Sequence, residues 1–282
     1  MGRVESRHMN SALIPDAQVQ APSGKAFDSQ RPALVFLHGI GGRASGWAPV
    51  MSVCAEAGWS CLAWDMPGYG DSPMISPYDF DALSDALSAL LRARGVQRAV
   101  LVGHSMGGMV ALQHWARHAE QVAGLVLVAS SPAFGNGSGE FQQRFVAARL
   151  APLDAGQTLA DLAPQLVPTM LAPHAADSVR EAAAACIGSI PNDAYRAALH
   201  ALVQFEQRAA LATITVPTLC VAGELDQTSA PAVVERMASK IHGAAYVCIP
   251  GVNHLLTFEQ PQAFAQHVLD FCQTHFEQEA AR

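Results

Sequence analysis

The pentapeptide Gly103-His104-Ser105-Met106-Gly107 constrains this chain more than any other stretch. It stands between an apolar run, Ala99 to Val102, and the residues Val110, Ala111, Leu112, Trp115 and Ala116, which recur at helical spacing. The run reads as a parallel strand buried on both faces. Strand, sharp turn and helix around G-x-S-x-G is the context of a nucleophile elbow. The turn strains the backbone, and strand and helix pass too close for side chains, so Gly103 and Gly107 answer a steric need. Ser105 is expected at the tip, its hydroxyl exposed and a helix N-terminus beneath it. An ordinary Gly-Ser loop is the competing reading, and the flanking elements argue against it.

The rest of the chain keeps the same rhythm. Ala33 to Leu37 is a buried strand, stopped by His38-Gly39-Ile40-Gly41-Gly42. Trp47, Val50, Met51 and Cys54 mark a helix ended by Gly58, and Ser60 to Trp64 is the next strand. Phe80, Leu83, Leu87, Leu90 and Leu91 predict an amphipathic helix that stops at Gly95, and Gly124 to Ala129 is a further strand. Residues 10 to 32 leave room for one edge hairpin at most. Alternating buried strands and helices predict an α/β fold, a mostly parallel, doubly wound sheet covered on both faces. The rhythm breaks at Pro132 and resumes with the strands Pro217 to Gly223 and Ala245 to Ile249, followed by a last helix from Pro261. The expected organisation is therefore a core of residues 10–131 and 209–282, interrupted by a helical cap at 132–208. A lid over the strand ends is the economical interpretation, because ligands bind outside the carboxyl ends of such strands.

Composition narrows the partners. At 282 residues, half of them hydrophobic, the chain can bury a large core. A formal charge of −7 argues against nucleic acid or an anionic membrane surface as a partner. No stretch has the apolar length needed to cross a bilayer, which takes roughly 18 residues. The six cysteines form no C-x-x-C motif, and Cys61, Cys220 and Cys248, inside apolar runs, read as small buried hydrophobes. Their pattern favours a reducing, cytoplasmic setting. Met1 to Met9 lacks the apolar segment of a signal peptide and reads as an expression-tag remnant.

A serine hydroxyl needs a base within hydrogen-bond reach and a third group to orient that base. The order expected with this elbow is Ser, then Asp or Glu, then His. Asp226 lies in the loop after one strand and His254 in the loop after the next, both at the elbow's edge of the sheet. Glu224, two residues from Asp226, is the competing acid. His104 adjoins the nucleophile but is expected to point away from it and to pack. The oxyanion of a carbonyl addition needs donors aimed at it in advance. The backbone N–H groups of Met106 and Ile40 supply them. No Cys/His cluster has metal-ligand spacing, and neither a metal nor an organic cofactor is expected. Trp47, Phe134, Phe141, Phe145 and Leu255 are candidates to line an acyl pocket, with plain core or lid packing the alternative for each. Arg144 or Arg149 is a candidate for meeting a substrate carboxylate, against a solvated helix face.

The His38–Gly42 loop, Asp65-Met66-Pro67-Gly68-Tyr69-Gly70-Asp71-Ser72, the elbow, Val216 through Asp226, and Gly251-Val252-Asn253-His254 together resemble the α/β-hydrolase fold superfamily. The resemblance covers about 33–131 and 210–275. Its texture is similar to carboxylesterases and 3-oxoadipate enol-lactonase-like hydrolases. It implies a serine hydrolase for a small-molecule ester or lactone of a small, fairly apolar acid, with an acyl-enzyme intermediate. The nucleophilic serine sets the chain apart from the dehalogenase and epoxide-hydrolase branches. Carbon–carbon bond hydrolases of aromatic degradation share the motifs but usually carry a Gly-Pro-Gly-like oxyanion loop, which Gly41-Gly42-Arg43 does not match. A ligand-binding, receptor-like protein on the same fold is the alternative from another class. Monomer and homodimer both remain open.

Overall fold

Five central runs rich in Val, Leu and Ala become strands because each can bury alternate side chains on opposite faces of one sheet. In the computed structural model, which describes residues 14–20, 27, 31–135 and 139–276, the strands are β1 (Ala17–Gln20), β2 (Ala33–Leu37), β3 (Cys61–Trp64), β4 (Ala99–His104), β5 (Val122–Val128), β6 (Thr218–Gly223) and β7 (Ala245–Ile249). Their order is β1-β3-β2-β4-β5-β6-β7. β1 runs antiparallel to β3, and every other pairing is parallel. The residues read as a tag remnant lie outside the described part. β1 is a single edge strand, and β5 starts two residues before the run that predicts it, at Val122.

The helices α1 (Ala48–Glu56), α2 (Phe80–Ala93), α3 (Met106–His118), α8 (Pro231–Ala238), α9 (Leu256–Glu259) and α10 (Pro261–Phe276) accompany the sheet. Between β5 and β6 lie α4 (Glu140–Asp154), α5 (Leu159–Met170), α6 (Asp177–Gly188) and α7 (Asn192–Leu202). The period-2 register of the strands sorts the core into two layers. Val35, Leu37, Leu101, Leu125, Leu127, Cys220 and Ala222 face α2, α3 and α8. Leu34, Phe36, Val100, Val102, Val126, Val128 and Val221 face α1 and α10. Trp47 belongs to this second layer, 3 % exposed and packed on Phe36 and Phe264. This corrects its expected place in an acyl pocket: it lies on the face of the sheet away from Phe134 and Leu255, which belong with the first layer. Cys248 is a second correction, because β7 is an edge strand and leaves it exposed.

The chain leaves the sheet and returns to it through a narrow neck. Ala133 bridges Glu206, Phe134 N–H donates to Phe205 O at 3.0 Å, and Gln207 N–H donates to Pro132 O at 2.7 Å. Leu153, Leu162, Val167, Ile187 and Leu199 of the four helices are continuous with the first core layer. Among the described residues no helix is long and apolar enough to cross a membrane.

Candidate active site

The strand order reverses between β2 and β4: the chain leaves β2 toward β3 on one side and returns to β4 on the other. A crevice opens at such a switch point, outside the carboxyl ends of the two strands. The His38–Gly42 loop and Ser105 are the residues that emerge there.

Ser105 sits between β4 and α3 with φ 52° and ψ −117°. A non-glycine residue there costs roughly 1–3 kcal/mol and persists only where its surroundings hold it. Here Ser105 N–H donates to Val128 O at 2.8 Å, and its carbonyl accepts from Ser130 Oγ at 2.8 Å and from Gly108 N–H at 3.0 Å. A methyl group on Gly103 would overlap the Gly107 carbonyl, and one on Gly107 would overlap the Leu37 carbonyl. These two glycines let the helix dock directly on β4 and β2. Ser105 itself is half-buried.

Asp226 and His254 meet in the buried space beside the elbow. His254 Nδ1–H donates to Asp226 Oδ2 at 2.8 Å, and the side chains are 6 % and 0 % exposed. The other carboxylate oxygen accepts from Thr228 N–H at 2.7 Å and Ser229 N–H at 2.9 Å. Burial alone would push the Asp226 carboxyl up. The hydrogen bond and charge of His254, with the two N–H donors, outweigh that and hold it below the ordinary carboxylate value. An ionised acceptor at Nδ1 leaves Nε2 as the lone-pair nitrogen of the neutral ring. Glu224 does not compete, since it is exposed and accepts from Gly251 N–H at 2.8 Å.

His104 has a definite task. Its Nε2–H donates to His254 O at 2.8 Å, and the two rings lie 4.9 Å apart between centroids. Burial, with the neighbouring His254, pushes it down to about 3, so it is neutral. The histidine beside Ser105 thus ties the elbow to the loop of His254. Among the described residues Ser105 Oγ makes no hydrogen bond to His254, and the N–H groups of Ile40 and Met106 have no backbone acceptor. These two donors stand on the two segments that flank the serine.

The loop of Ile40 is fixed by side chains whose partners residue type and spacing did not reveal. Met66 N–H donates to His38 Nε2 at 3.0 Å, which puts the proton on Nδ1, and Nδ1–H donates to Gly39 O at 2.7 Å. Burial pushes His38 down to about 4. Tyr69 OH donates to Ile40 O at 3.0 Å, and Asp65 accepts from Ala44 N–H at 3.0 Å and from Arg43 at 3.4 Å. The Asp65–Ser72 motif supplies all of these partners outside the loop, which was the available signal.

Phe134 is partly buried against the first core layer and packs with Phe145 at 4.7 Å and Phe141 at 5.8 Å. Leu255, 7 % exposed, donates its N–H to Met170 O. Arg149 lies over the Phe145 ring, and Arg144 pairs with Glu140 on an exposed face. A groove of about 460 Å³ opens between residues 43–49, α6 and Thr257-Phe258, and Ser105 does not line it. No group of three or more metal-ligating side chains is gathered among the described residues.

The same frame recurs in known proteins. The chain is 29 % identical to the 2-succinyl-6-hydroxy-2,4-cyclohexadiene-1-carboxylate synthase of Serratia proteamaculans, over 86 % of this chain and 94 % of that protein. It is 30 % identical to the pimeloyl-(acyl-carrier protein) methyl ester esterase of Neisseria meningitidis serogroup B, over 76 % of this chain and 83 % of that one. The enol-lactonase of Burkholderia xenovorans superposes with a TM-score of 0.78 at 24 % identity, covering 92 % of this chain and 96 % of the other. The family model of the alpha/beta hydrolase fold matches residues 32–261, from the strand before the His38–Gly42 loop to the start of the last helix. By sequence and by strand order alike, the chain belongs to the α/β-hydrolase fold family.

Proposed function

We propose that this protein is a serine hydrolase that cleaves a carboxylic ester or lactone through an acyl-enzyme. The observation that carries the reading is the buried Asp226–His254 pair, tied through His104 to the strained serine of the elbow. In this reading Ser105 Oγ attacks the substrate carbonyl while His254 Nε2 takes its proton. The N–H groups of Ile40 and Met106 receive the developing oxyanion, the latter with the positive end of the α3 dipole behind it. His254 returns the proton to the leaving alkoxide, the alcohol departs, and the acyl group stays on Ser105. Water then gives its proton to His254 and attacks the acyl carbonyl, and His254 returns that proton to Ser105 Oγ as the acyl–oxygen bond breaks and the acid departs. Asp226 keeps the imidazole in the required tautomer and balances the imidazolium.

The substrate class rests on kinship and on surroundings. Relatives include a methyl ester esterase, and an enol-lactonase shares the fold. The Phe134, Phe141 and Phe145 cluster, on or beside the helices between β5 and β6, offers an apolar wall to a small acyl group. Those helices act as a lid in this reading. The test is a fluorophosphonate probe followed by peptide mass spectrometry. One adduct on Ser105, absent after Ser105→Ala, is expected. Labelling elsewhere, or none with a probe small enough to enter, contradicts the assignment.

A further inference from the structure

The loop that carries His254 has no regular secondary structure between β7 and α9, so its backbone groups need partners from elsewhere. Glu259, the last residue of α9, supplies one: its Oε1 accepts from Asn253 N–H at 2.8 Å. Asn253 Oδ1 in turn accepts from His254 N–H at 2.8 Å. The second oxygen of Glu259 reaches across 87 positions of sequence and accepts from Ala172 N–H at 2.7 Å. Ala172 lies in the junction between α5 and α6.

The start of that junction is bound to the His254 loop at successive residues. Leu255 N–H donates to Met170 O at 3.0 Å, and Asn253 Nδ2 donates to Leu171 O at 3.2 Å. The last carbonyls of a helix have no partner within it, and here the His254 loop satisfies that of Met170 at the end of α5 and that of Leu171 just beyond it. On its other side Arg180 donates to Ala172 O at 3.3 Å and to Pro173 O at 2.8 Å.

We propose that Glu259 is a positioning residue whose carboxylate clamps the His254 loop to the α5–α6 junction, so that the helical insertion and the imidazole move together. It acts through the backbone of Asn253, whose side chain fixes the next peptide, that of His254. An insertion that swings as a lid must then pivot on residues 170–172 or displace His254. The mechanistic part rests on reading His254 as the base. The clamp itself rests only on the hydrogen bonds.

Glu259→Ala removes both acceptors. Glu259→Gln keeps one carbonyl acceptor but turns an NH₂ donor toward the other N–H, so it should fall between. Two readouts separate the possibilities. Relative to wild type, amide hydrogen exchange of both variants should quicken together at 170–176 and 251–258, by about tenfold in Glu259→Ala, because the two segments share one opening. Rates on p-nitrophenyl acetate should fall in kcat by about tenfold or more in Glu259→Ala, with KM within about twofold, since misplacing a reacting group costs rate more than binding. If Glu259→Ala unfolds, Glu259→Gln decides. Faster exchange in only one segment, or a lower melting temperature with an unchanged kcat, overturns the clamp. If wild type takes no fluorophosphonate on Ser105 while exchange is still coupled, the hydrolase reading fails and the clamp stands.

Discussion

At the scale of single residues the chemistry rests on one proton and its keeper. Asp226 holds Nδ1–H of His254, and the proposed hydrolysis requires Nε2 to be free to accept. Asp226→Asn can present its NH₂ to Nδ1 and stabilise the wrong tautomer. We expect kcat to fall roughly 10³–10⁴-fold with the fold intact, read by steady-state rates beside circular dichroism. A loss under tenfold would mean that Asp226 does not orient the base. That Ser105, Asp226 and His254 would gather at one edge of the sheet was legible because each sits one or a few residues past the carboxyl end of a strand, where chain order and sheet geometry leave few alternatives. His38, Asn253 and Glu259 were not. Their work is on backbone N–H and C=O groups, and residue type and spacing do not reveal which peptide a side chain will reach. His104 shows the same limit: its neighbourhood suggested packing, and its Nε2–H bond to His254 O appears only when the two loops are brought together.

At the scale of elements, the elbow is held by close approach. Gly107→Ala would drive a methyl group into the Leu37 carbonyl, whereas a methyl on Gly156 would meet nothing within 4 Å. Gly156 has φ 90°, so alanine there still costs about 1–2 kcal/mol of backbone strain. We expect Gly107→Ala to lose more than about 3 kcal/mol in urea denaturation or to fail to fold, against that smaller cost at Gly156. Equal losses would show that strand–helix contact does not set the elbow. The buried strands were read correctly because β2, β4, β5 and β6 are continuous apolar runs between punctuating glycines and polar loops. Trp47 was misplaced for a related reason. Helical spacing shows that a face is buried, yet not which side of the sheet buries it, and α1 lies with α10 rather than with α3.

At the scale of the molecule, burial has consequences for titration. Burial is the main cause that pushes His38 and His114 down to about 4 and His104 down to about 3, against 6.5 for the free group. Between pH 6.5 and about 4 the unfolded chain therefore binds more protons than the native one. These three histidines make stability fall on acidification through that window and add no slope above it. Each histidine contributes a slope of up to about 1.4 kcal/mol per pH unit. His114 bonds Ser84 and Gln121, away from the crevice, so His114→Gln should flatten the slope by about a third with the rate unchanged. Urea midpoints at pH 7.0 and 5.0 measure this, and a midpoint independent of pH contradicts it. The three-layer arrangement was legible from the alternation of elements. The docking of α4–α7 was not, because their buried residues, such as Val167 and Ile187, join a core layer that many other helical patterns could equally join.

The central claim is that Ser105 is the nucleophile of an ester-cleaving enzyme. Initial rates on p-nitrophenyl acetate, butyrate and octanoate, with Ser105→Ala alongside wild type, test it most directly. Turnover in the wild type that falls by about 10³-fold or more in the variant is the predicted result. Equal rates in the two proteins would contradict it, because hydrolysis would then proceed without the serine at the elbow.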